Sequence, residues 1–74
     1  MTIDQFLSQF QAAMNPEAIK LLNWAKTKAP KEEVEAFEDW AHEMGKDGAA
    51  TFAKQQPGDY FPSCKLSWDD LKKL

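Results

Sequence analysis

Lys31–Gly45 reads KEEVEAFEDWAHEMG, and the spacing of its apolar residues decides the fold class. Val34, Phe37, Trp40, Ala41 and Met44 recur at three- and four-residue steps, which places them on one stripe of a helix. Glu32, Glu35, Glu38, Asp39, His42 and Glu43 fall on the other side. One face is therefore expected to be buried and the opposite one to be densely acidic. Lys31 follows Pro30, a residue preorganised for a helix start, and Glu32 and Glu33 occupy the first turn, where the helix dipole favours negative charge. Gly45 has the position of a C′ residue.

Working outward, the segment before it breaks at Ala29-Pro30. Upstream, Asn15-Pro16 opens a second helix running to about Lys28, with Asn15 as N-cap. Its apolar residues, Ala18, Ile19, Leu21, Leu22, Trp24 and Ala25, cover more than half the circumference, so this helix is expected to have neighbours on two sides. Thr2–Met14 reads as the first helix. Thr2 and Gln5 have capping-box spacing, and Met1 and Phe6 have staple spacing. Ile3, Phe6, Leu7, Phe10, Ala13 and Met14 form its narrow apolar stripe.

Downstream of Gly45, Asp47 has the character of a cap for a short fourth helix, Gly48 to about Gln55, with Ala49, Phe52 and Ala53 facing inward. Gln56–Leu66, QPGDYFPSCKL, has two prolines and no periodicity. Tyr60, Phe61 and Leu66 give it apolar weight, so it is expected to cross the other elements as an ordered segment. Ser67 caps a last short helix, with Asp70 at the box position. The expected fold is all-α: a small antiparallel bundle of three main helices over residues 1–55, with a short fourth helix. An irregular tail, 56–74, packs across it and ends in a short helix.

Seventy-four residues make one domain with a thin stability margin, and look like a complete small reading frame. The lone Cys64 fits a reducing compartment, no apolar run approaches the roughly 20 residues of a membrane span, and no signal peptide is seen. A cytoplasmic, soluble protein is expected. Nine lysines stand against twelve acids with no arginine, a net charge of −3. Direct nucleic-acid readers are usually basic and rely on arginine, so this balance argues against one and leaves open a protein partner with a basic groove.

No catalytic, metal or cofactor motif is present. His42 and Cys64 are the only His and Cys, too few for a structural zinc, and Asp47-Gly48 lacks the ladder of an EF-hand loop. The function expected is a non-enzymatic protein–protein interaction module, a small bacterial or phage regulator or inhibitor of a larger protein. The alternative is an acidic mimic of nucleic acid that blocks a DNA- or RNA-handling enzyme. Five residues are candidates for the partner surface. Glu35, Asp39 and Glu43 stack at i,i+4 steps, where like charges cost a few tenths of a kcal/mol each. Trp24 and Trp68 lie at the margins of their helices, where exposed tryptophan acts as an anchor.

MTIDQFLSQF, NPEAIKLLNWA and EEVEAFEDWAHEMG, covering about residues 2–45, resemble the leader domains of some peptide natural products. In those a first helix, an acidic-Pro restart and a third helix ending at Gly recur. The resemblance implies a leader- or carrier-type domain recognised by a modifying enzyme. This chain departs from it in having no Gly-Gly export site after Gly45 and a single cysteine in the tail. An acyl-carrier role would require an Asp-Ser-Leu attachment triplet, which does not occur.

Overall fold

The caps foreseen from local spacing organise the first half of the chain. The computed structural model describes residues 1–74 and contains helices and turns without strands. Helix α1 spans Ile3–Phe10 and is closed at its start by the reciprocal Thr2–Gln5 box, with Thr2 Oγ1 accepting from Gln5 N and Gln5 Oε1 from Thr2 N. It ends earlier than its pattern suggests, because the last turn tightens into a 3-10 turn at Gln11–Ala13. Helix α2 spans Pro16–Lys28, with Asn15 Oδ1 accepting from Ala18 N at 3.0 Å. Ala18, Leu21, Leu22 and Ala25 of α2 are buried, and Ile3 and Phe6 of α1 meet them in one core.

Helix α3 spans Lys31–Thr51 and is broken at Gly45, whose φ of 54° and ψ of −131° belong to a region open to glycine. The expected stop at Gly45 is thus a sharp kink, after which helix resumes at once. Asp47 does not cap a separate helix: its side chain makes no capping bond, and its carbonyl accepts from Thr51 Oγ1. The kink has a measurable consequence. Fifteen residues of straight helix rise about 22 Å, yet the Phe37 and Phe52 rings lie 5.5 Å apart. The chain after Gly45 therefore folds back on the helix before it. Gly48 completes this return, since a Cβ there would lie 2.8 Å from Met44 Cβ and 3.2 Å from the Trp40 ring.

Three inward assignments are corrected, the first being Ala13, which is exposed in the 3-10 turn that follows α1. Ala53 is exposed, because Phe52–Lys54 is a 3-10 turn and only Phe52 enters the core. Met44, the last residue before the kink, is 41% exposed rather than part of the buried stripe.

The aperiodic tail contains one helical turn that spacing does not reveal, α4 at Pro57–Tyr60, with Asp59 Oδ2 accepting from Gln56 N. It buries Pro57, Phe61 and Cys64. Helix α5, Trp68–Lys72, buries Leu71 and packs on α2. Lys20 Nζ of α2 donates to the carbonyls of Lys72 and Leu74, placing a cation at the negative end of α5.

Asp70 makes α5 acid-sensitive. Hydrogen bonds from the Ser67 backbone and then its hydroxyl hold the Asp70 carboxyl below its ordinary range. A depressed folded pKa contributes stability that is present above the ordinary value of about 3.9, and that is lost as pH falls through the folded value. Followed by NMR from about pH 6 to about pH 2, Asp70 should titrate below the ordinary carboxylate value of about 3.9, and α5 should lose helical shifts only then. Asp70 titrating at or above that ordinary value would contradict the cap.

Candidate functional site

The acidic side of α3 divides into carboxylates that hold the fold together and carboxylates that do not. Glu38 is half-buried and accepts from Ile3 N at 2.9 Å, so it caps the first turn of α1 from across the structure. It therefore does not belong to the solvated face on which its spacing puts it. Glu33 accepts from both the backbone N–H and the hydroxyl of Ser63, which ties the tail to α3. Glu32, Glu35, Asp39 and Glu43 remain exposed. Of these only Glu35 meets a cation, Lys31 at 3.8 Å, in a solvated pair that contributes little. Glu35, Asp39 and Glu43 thus form an outward row at one-turn steps, about 6 Å of rise each.

The row borders the side chain on which two surface features meet. Trp40 is half-buried and lines a shallow depression with Asp39, His42 and Glu43. On its other side it lines a cleft of about 190 Å³ with Ala36, Phe37, Gln55, Asp59 and Tyr60. The Trp40 ring is set by packing on Gly48 and on Phe37, at 5.5 Å between centroids. Tyr60 stacks on Phe52 at 4.4 Å and its hydroxyl donates to the Phe52 carbonyl at 2.9 Å. Burial, and then the neighbouring Asp59 carboxylate, raise the pKa of that hydroxyl, which keeps it a protonated donor.

Trp24 and Trp68 are half-buried and engaged. Trp24 packs edge-on to Phe61 at 6.3 Å. Trp68 packs against Phe52 at 5.7 Å, and its indole N–H donates to the Gln55 carbonyl at 2.7 Å. Neither lines the cleft, and neither is brought together with the acidic row in these surface features. Spacing places Trp40 in the buried stripe and so misses its outward edge. The signal lies in Gly48, one small residue on which a large ring rests after the kink.

His42 is exposed on α3 and Cys64 is buried in the tail, its Sγ 3.8 Å from the Leu66 carbonyl. No group of three His, Cys, Asp or Glu side chains is placed to hold a metal ion, and no helix is long and apolar enough to cross a membrane. Cys64→Ser should fold and retain binding, at a cost of no more than about 1–2 kcal/mol, because the hydroxyl inherits the Leu66 carbonyl. Denaturant melts and partner binding check this; a variant that folds yet loses function would assign Cys64 a chemical role.

No protein-family model, curated protein or solved structure matches this chain.

Proposed function

We propose that this chain is a non-enzymatic interaction module, a small regulator or inhibitor of a larger protein, and that the outward face of α3 is where the partner docks. The three longer helices, read as an antiparallel bundle, are the scaffold that displays this face. The observation that carries the reading is the division among the α3 carboxylates. Glu33 and Glu38 are consumed by contacts to Ser63 and Ile3, whereas Asp39 and Glu43 have no cation within the chain. A row of like charges at i,i+4 destabilises its own helix slightly and returns nothing to the fold. A partner with a basic groove is steered to such a row over about a Debye length, about 8 Å in physiological salt. Neutralising Glu35, Asp39 and Glu43 slows association, and the slowing fades as salt is raised.

The same row favours a second reading, a mimic of nucleic-acid charge that occupies the groove of a DNA- or RNA-handling enzyme. Its supporting observation is the single file of carboxylates at regular helical steps. Competition separates the two: a mimic is displaced from its partner by nucleic acid, and a regulator docked elsewhere on its target is not.

A further inference from the structure

We propose that the cleft between α3 and α4 receives an arginine side chain presented by the basic partner. The inference rests on the α3 docking reading and names the group that this face recognises. Trp40 and Tyr60 form adjoining walls, their centroids 5.1 Å apart and their planes at 58°, over a floor contributed by Phe37. Tilted in this way, the two rings can contact one guest together. Aromatic faces attract cations, and the planar, weakly hydrated guanidinium suits them better than an ammonium.

The polar groups around the cleft fit the same guest. The Tyr60 hydroxyl is already occupied by the Phe52 carbonyl, so the guest meets the ring. The Trp40 indole N–H makes no hydrogen bond within the chain, unlike that of Trp68, and remains available to a carbonyl of the segment carrying the arginine. Asp59 lines the cleft with one oxygen bound to Gln56 N and the other, Oδ1, without a partner. Asp39 and Glu43 flank Trp40 on its other side. An apolar guest would draw Asp59 out of water without compensation, which costs free energy. A second copy of this chain has only lysines to offer.

The test is an NMR titration of the full chain with N-acetyl-arginine amide. N-acetyl-citrulline amide, which has the same shape without the charge, is run in parallel with the lysine and leucine amides. Saturable shifts are expected at the Trp40 indole N–H and at Tyr60, with the arginine amide bound about three- to tenfold more tightly than the citrulline amide. Asp59→Asn should weaken it about threefold while the spectrum stays folded. No saturable shift at either ring, or leucine or citrulline binding as tightly as arginine, would overturn the proposal. Tighter lysine binding would also overturn it and point to self-association. If the amides fail but neutralising the acidic row still slows the partner, the cleft is wrong and the α3 face stands. If arginine binds but the row is without effect on the partner, the α3 reading fails instead.

Discussion

Phe37→Ala is expected to cost about 3–5 kcal/mol, against a total stability on the order of 4–11 kcal/mol for a domain of this length. The loss is a large share of that total, so the variant should melt about 12 °C or more below the parent. Phe37 is 2% exposed and is the ring on which the others converge. Its centroid lies 5.6 Å from Phe6, 5.5 Å from Trp40, 5.5 Å from Phe52, 6.0 Å from Tyr60 and 5.2 Å from Phe61. Those neighbours come from α1, from both sides of the Gly45 kink and from the tail. Truncation therefore removes contacts to all three of these regions at once, and rigid rings collapse poorly into the void. Glu35→Ala, two residues away on the exposed side, should stay within about half a kcal/mol of neutral. Thermal melts of the two variants decide the matter: equal shifts would mean that α3 is rotated from the orientation described.

That contrast marks what local spacing can and cannot reveal. The helical class, the Thr2, Asn15 and Ser67 caps and the Phe37 stripe all follow from periods and caps that act within four residues. Gly45 is visible as a break, but its ψ, and hence the return of Phe52 onto Phe37, depends on packing far along the chain. Glu38 looks like a member of a solvated face and Glu33 like a first-turn acid alone, because their partners, Ile3 and Ser63, are 35 and 30 residues away. The cleft was hidden for the same reason. Tyr60 and Asp59 come from an aperiodic segment, and only the fold sets them beside Trp40. The row Glu35, Asp39 and Glu43 was legible because its geometry is set within one helix.

The second large effect is expected at that row. Glu35→Gln, Asp39→Asn and Glu43→Gln together raise the net charge from −3 to zero. Ser8→Lys, Gln9→Lys and Gln11→Lys do the same on the exposed side of α1 and its following turn. Gln5 is left alone because its side chain closes the α1 capping box. The two triples share one net charge and place the change on different faces, one by removing carboxylates and the other by adding lysines. The most direct measurement is the association rate of each with the partner recovered from native cells, at low and physiological salt. The neutralised α3 row should associate about tenfold or more slowly at low salt, and the α1 triple should fall within about threefold of the parent. The reverse ordering, with the α1 triple impaired and the α3 triple unchanged, would place the docking surface on α1 and leave the acidic row as a solvated face.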